Sequence, residues 1–172
     1  MTAGDVLDAN LRSPTYYVAR TSTTCWHCGL PTSVLALAVP QEHETLDGDS
    51  ESASAEGGDS SPQLWQRADV SAFLFYVEQL SHDVKQRLQQ LSEHFRPARS
   101  GVTQSLYWAN HCEHCSVLLA DHELHCEPDG AFSPSSEAAA SEVHLLHIRE
   151  PFEAAAGGIS LEPEFFALMR KA

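Results

Sequence analysis

Four of the chain's five cysteines form two pairs of identical spacing, Cys25-Trp26-His27-Cys28 and Cys112-Glu113-His114-Cys115. A tight Cys-x-x-Cys turn aims two sulfurs at one point, and two such turns complete a four-sulfur shell around a single tetrahedral ion, the donor set of structural zinc. Gly29 follows the first pair and relieves steric crowding where the backbone folds back over a metal. A catalytic zinc keeps one position open, whereas Cys25, Cys28, Cys112 and Cys115 would close the shell, so the ion expected here is a scaffold. Thiol–disulfide exchange is the competing chemistry. It is favoured where a Cys-x-x-Cys pair opens a helix whose N-terminus lowers the thiol pKa. Pro31 and β-branched residues follow the first pair, so no helix is expected there.

A second group of reactive side chains comes after the second pair. His111, His114, His122, His125 and Cys126 lie close together, with Asp121 and Glu123 among them. A metal or acid/base site in this 111–126 stretch is the enzyme alternative. The order Asp121-His122-Glu123-Leu124-His125 is not HExxH, and on a strand His122 and His125 would point to opposite faces. The plainer expectation puts His111 and His114 behind the sulfurs or in solvent, leaves His122 and His125 on an exposed strand end, and makes Cys126 a small buried hydrophobe. Trp26 is expected to shield the sulfurs or pack on a neighbouring strand, with an exposed partner-binding anchor as its other role. The fingerprints of nucleotide-binding loops, serine hydrolases and zinc proteases are absent from the chain.

The elements that must carry these residues read mainly as strands. Thr15 to Arg20 and Thr32 to Val39 flank the first pair, while Thr103 to Ala109 and Ser116 to Leu119 flank the second. This arrangement of knuckles between strands, with the CxxCG of Cys25 to Gly29, resembles the zinc-ribbon class. The resemblance implies a four-cysteine zinc site as a fold element. Ser116 stands where the class commonly has a second glycine, and the long segment from Gly29 to His111 splits the ribbon. The runs before the two pairs are also alike, Tyr16-Tyr17-Val18-Ala19-Arg20 and Leu106-Tyr107-Trp108-Ala109-Asn110, which suggests a duplicated strand-and-knuckle unit.

Within the intervening segment, Val70, Phe73, Leu74, Val77, Leu80, Val84, Leu88, Leu91 and Phe95 recur at helical spacing. The aromatic run 72–78 suits a strand equally, and Ser81 suits an N-cap. Strand 72–78 followed by an amphipathic helix 82–95, ended by Pro97, is the preferred division. Residues 133–141 read as a surface loop, Val143 to Ile148 as the last strand, and Pro163 to Lys171 as a terminal helix with Arg170 and Lys171 in its last turn. The expected fold is therefore α+β: a mainly antiparallel sheet, a split four-cysteine zinc ribbon, one central amphipathic helix and a short C-terminal helix.

At 172 residues the chain suits a single domain. The stretch 41–63 interrupts it with Glu42, Glu44, Asp47, Asp49, Glu51, Glu56 and Asp59 and no basic residue. Its low hydrophobicity cannot offset ordering entropy, so it reads as a disordered acidic insertion. The net charge is −14; without those seven acids, 17 acidic residues remain against 10 basic ones. Nucleic-acid affinity needs a basic patch, and here the basic residues are scattered, so that partner is disfavoured. An acidic surface suits a basic protein partner. Neither a secretory signal nor an apolar run long enough for a membrane span is apparent, and a thiol-rich site suits the reducing cytoplasm.

Overall fold

The computed structural model describes residues 9–46, 65–99, 106–120, 124–125, 130–132, 136–161 and 168–171. In chain order the elements are β1 (Leu11–Ser13), β2 (Tyr16–Thr24), β3 (Pro31–Val39), β4 (Glu44–Leu46), β5 (Trp65–Arg67), β6 (Ala72–Leu80), α1 (His82–Leu91), β7 (Phe95–Arg99), β8 (Leu106–His111), β9 (Leu118–Leu119), α2 (Glu137–Ser141), β10 (His144–Ile148), β11 (Phe152–Leu161) and β12 (Arg170–Lys171). One 12-stranded sheet runs in the order β12-β10-β2-β3-β6-β11-β1-β4-β5. A branch of β7, β8 and β9 joins it where Val77 of β6 meets Trp108 of β8. The pairings are antiparallel except that of β10 with β12.

The near-continuous apolar run of β3 marks a strand covered on both faces, since successive side chains alternate. Leu35, Leu37 and Val39 enter one core with Val18, Leu74, Phe152 and the α1 residues Val84 and Leu88. Val34, Ala36 and Ala38 enter a second core with Ala19, Phe73, Phe132 and Leu145. Cys25 and Cys112 belong to that second core, so the metal-ligand candidates sit at its end. The α+β, sheet-rich character matches expectation, and so do the strands on either side of the first knuckle.

Four local expectations are corrected. The helix expected over 82–95 ends at Leu91, because Ser92 is extended and Phe95 instead opens β7 opposite Asn110 of β8. Leu91 and Phe95 kept the helical spacing, but Pro97 disfavours a helical Arg96, and among the described residues β7 pairs only with β8, an edge position where a strand tolerates proline. Residues 137–141, read as loop, form α2, whose first turn is capped by Ser136 Oγ accepting from Ala139 N–H at 3.2 Å. Arg170 and Lys171 form β12 rather than the last turn of a helix, and residues 162–167 lie outside the described residues. The strand β10 is not the last, because β11 follows it.

β11 was hidden by its sequence, FEAAAGGISL, since alanine and glycine are depleted in strands. It pairs along β6, with a bulge between Ala155 and Ala156. Asn10 covers the bulge: its Nδ2 donates to Ala156 O at 2.8 Å and its Oδ1 accepts from Ala156 N–H at 3.0 Å. Gly158 leaves room for the Phe75 ring where β11 passes β6: a Cβ there would lie 2.1 Å from the ring, which would have to shift. The strand β4 begins inside the expected acidic insertion and pairs with both β1 and β5, while the stretch 47–64 lies outside the described residues. No helix among the described residues is long and apolar enough to cross a membrane.

Candidate metal centre

The first knuckle is the turn of the β2–β3 hairpin, whose last pair is Thr24 with Pro31. Cys25 N–H donates to Leu30 O at 2.9 Å, and Gly29 N–H donates to Cys25 O at 3.0 Å. Closing the turn takes Gly29 to a φ of +75°, a left-handed conformation that glycine adopts without Cβ strain. The second knuckle is the turn between β8 and β9 and repeats the first bond for bond. Cys112 N–H donates to Val117 O at 2.9 Å, and Ser116 N–H donates to Cys112 O at 2.9 Å. Ser116 takes a φ of +62° in the place of Gly29. The repeat suspected from the flanking sequence is therefore also a repeat of backbone geometry.

In each knuckle the first sulfur gathers backbone donors. Cys25 Sγ accepts from His27 N–H at 3.4 Å and Cys28 N–H at 3.5 Å, and Cys112 Sγ accepts from His114 N–H at 3.3 Å. Across the knuckles, Cys25 Sγ lies 3.6 Å from Cys115 Sγ, and Cys28 Sγ lies 3.6 Å from Cys112 Sγ. All four sulfurs fall within 4.8 Å of one another, an arrangement that could hold a metal ion. A tetrahedral ion with metal–sulfur bonds of ~2.3 Å keeps its sulfurs about 3.8 Å apart, so the cluster needs little adjustment to accept one.

The thiols divide their protons unevenly. Burial pushes the Cys112 thiol up, but the N–H groups of Cys115 and His114 and the neighbouring sulfurs outweigh it and bring the pKa down to about 6. For Cys115 the Val117 N–H pulls downward, yet burial and the three other sulfurs carry it up to about 12. Cys25 is lowered, its burial outweighed by the N–H groups of Cys28 and His27. Cys28 is raised, because burial and the sulfurs of Cys112 and Cys25 outweigh the Leu30 N–H. Four negative charges cannot gather here without a cation, and a bound divalent ion would displace the remaining protons.

Side chains tie one knuckle to the other. Trp26 Nε1 donates to Leu118 O at 3.1 Å, just past the second knuckle, and His114 Nε2 bonds Pro31 O at 2.9 Å, just past the first. Trp26 thus packs on the neighbouring strand through its ring edge while staying 62% exposed. Two residues marked by no motif, Thr32 and Asn110, also bridge the knuckle-bearing strands, and nothing in their sequence context distinguishes them from other polar strand residues.

Among the described residues of the histidine-rich stretch, no histidine joins the sulfur cluster. His111 is buried, its Nδ1 lies 3.2 Å from His94 O, and burial lowers its pKa. His125 is buried between Phe75 and Phe132, with ring centroids 5.5 and 5.1 Å away, and burial brings its pKa down to about 3. Asp121, His122, Glu123 and Cys126 lie outside the described residues. Among the described residues, the four cysteines are the group whose ligand atoms cluster tightly enough for a metal.

The chain matches no protein-family model, and comparison with curated proteins and with solved structures likewise found no match.

Proposed function

We propose that this chain is a non-catalytic zinc-binding protein that acts by binding another protein. One structural zinc ion is held by Cys25, Cys28, Cys112 and Cys115 in a split zinc ribbon. The convergence of four cysteine sulfurs from two hairpin turns within 4.8 Å carries this reading. Thiolates favour zinc over harder cations, and a shell closed by four of them leaves no position for substrate. Bound zinc supplies a crosslink between hairpins distant in sequence. The chain's own residues aim the sulfurs, donate N–H groups to them and join the knuckles through Trp26 and His114. Each Cys-x-x-Cys pair occupies a strand-to-strand turn, not a helix start, which weakens the redox reading.

The interaction half of the proposal rests on the knuckle surface and on charge. Trp26 stands 62% exposed at the tip of the first knuckle, beside Leu30 at 47%, and tryptophan is enriched among the residues that anchor protein interfaces. A net charge of −14 favours a basic partner, and the reducing cytoplasm keeps the thiols available for zinc. The test compares wild-type chain with Trp26→Ala as bait in extract of the native cell. A basic protein retained in stoichiometric amount, weakened by salt and lost at least tenfold with Trp26→Ala, is expected. Recovery of no stoichiometric partner, or equal recovery by both baits, would contradict the interaction reading.

A further inference from the structure

β3 and β8 carry the two knuckles but share no backbone ladder. β3 pairs with β2 along its length and with β6 only through Leu37, Ala38 and Val39. β8 pairs with β7, with β9 and at one point with β6. What aligns the two strands is a run of side-chain bonds. Leu35 N–H donates to Asn110 Oδ1 at 2.7 Å, and Asn110 Nδ2 donates to Leu35 O at 2.8 Å. Glu113 N–H then donates to Thr32 Oγ1 at 3.0 Å, and His114 bonds Pro31 O at 2.9 Å. The partners step down one chain, 35, 32, 31, as they step up the other, 110, 113, 114. The bonds therefore keep a single antiparallel register, with side-chain atoms in place of half of each backbone pair.

Asn110 is 2% exposed and Thr32 1% exposed, so these bonds are shielded from competing water. The Asn110 amide satisfies the outward N–H and C=O of Leu35 together, and a buried peptide left without those partners would be costly. Asn110 lies two residues before Cys112, on the strand that leads into it. Glu113 lies inside the second knuckle, so Thr32 grips the turn itself.

We propose that Asn110, with Thr32 behind it, is a positioning residue for the metal centre: its amide sets the register of β8 on β3 and thereby brings Cys112 and Cys115 opposite Cys25 and Cys28. This rests on the metal reading above and adds a determinant of affinity that no ligand motif contains. Groups that orient metal ligands without touching the ion typically contribute about 10- to 100-fold to affinity.

The test is titration of the metal-free full-length chain with Co²⁺, following the thiolate-to-cobalt charge-transfer and tetrahedral d–d bands. It is run on wild type, Asn110→Ala, Thr32→Val, Thr32→Ser and Val84→Ala. Val84 is buried in the first core, away from the knuckles, and its variant reports what lost stability alone does to affinity. Thr32→Val keeps the side-chain shape and replaces the hydroxyl with a methyl group that cannot accept from Glu113 N–H, so it stands in if Asn110→Ala does not fold. Wild type showing four-sulfur cobalt bands secures the metal reading separately. The expected result is affinity lower by tenfold or more in Asn110→Ala and by threefold or more in Thr32→Val. Thr32→Ser should retain wild-type affinity, and Val84→Ala should change affinity less than the knuckle variants at an equal loss of thermal midpoint. Equal weakening in all destabilised variants, or unchanged affinity in Thr32→Val, would overturn the proposal.

Discussion

At the scale of single residues, the two knuckles pose the same backbone problem with different residues. Gly29 and Ser116 both sit at positive φ, +75° and +62°, and both donate to the carbonyl of a first cysteine. A Cβ at Gly29 would meet nothing within 4 Å, so its replacement costs only the strain of the left-handed conformation. Left-handed backbone costs an L-residue roughly 1–2 kcal/mol, partly offset by glycine's greater freedom when unfolded. Gly29→Ala should therefore lower the stability of the metal-loaded chain by about 1 kcal/mol, and Ser116→Gly should raise it by up to about 1 kcal/mol. Denaturant midpoints of the two variants shifting in the same direction would contradict this. The cysteines were legible because their paired Cys-x-x-Cys spacing is the one a four-sulfur metal shell would require. Ser116 was noticed only as a departure from glycine; that serine adopts the same turn depends on backbone bonds that its identity does not encode. Asn110 and Thr32 were illegible, since their partners lie far away in sequence.

Elements were legible where one periodicity dominated. β2, β3 and β10 announced themselves through β-branched and aromatic runs, whereas β11 is alanine and glycine and exists because β6 and β1 flank it. The end of α1 was misplaced because Leu91 and Phe95 kept helical spacing while the chain had already turned to pair with β8. The short turn at Leu124 and His125 closes the second core, with Leu124 N–H donating to Ala120 O at 3.3 Å and Phe132 N–H donating to Leu124 O at 2.8 Å. Its histidine, read as a candidate ligand, is instead an aromatic neighbour of Phe73, Phe75 and Phe132. Burial lowers its pKa to about 3 from the ordinary 6.5, so the folded chain holds it neutral where the unfolded chain would protonate it. Its contribution to stability is complete above pH 6.5 and is lost as pH falls from there toward 3. At pH 5 the loss is about 2 kcal/mol. Comparing wild type with His125→Phe at pH 7.5 and pH 5 isolates this effect from acid effects common to both. The variant should lose about 2 kcal/mol less over that interval, and parallel pH profiles would contradict the assignment.

For the whole molecule, the centre joins two hairpins and lies at the end of one of two cores on a single sheet. A structural zinc in small peptides supplies about 10–16 kcal/mol of apparent binding energy, which matches or exceeds the roughly 5–15 kcal/mol net stability of a typical domain. Loss of the ion is therefore expected to release the second core along with the knuckles. The sheet-rich class was readable from sequence, but its strand order was not, because pairings such as β1 with β11 and β3 with β6 join residues remote along the chain. The most direct measurement is zinc per chain by elemental analysis, on protein purified without chelator, for wild type, Cys25→Ser and Cys112→Ser. One zinc per wild-type chain, lost together with native near-UV circular dichroism in either variant, is the predicted result. A metal-free wild type with Cys25–Cys28 or Cys112–Cys115 disulfides, or one zinc retained in full by either variant, would contradict a single ion shared by the two knuckles.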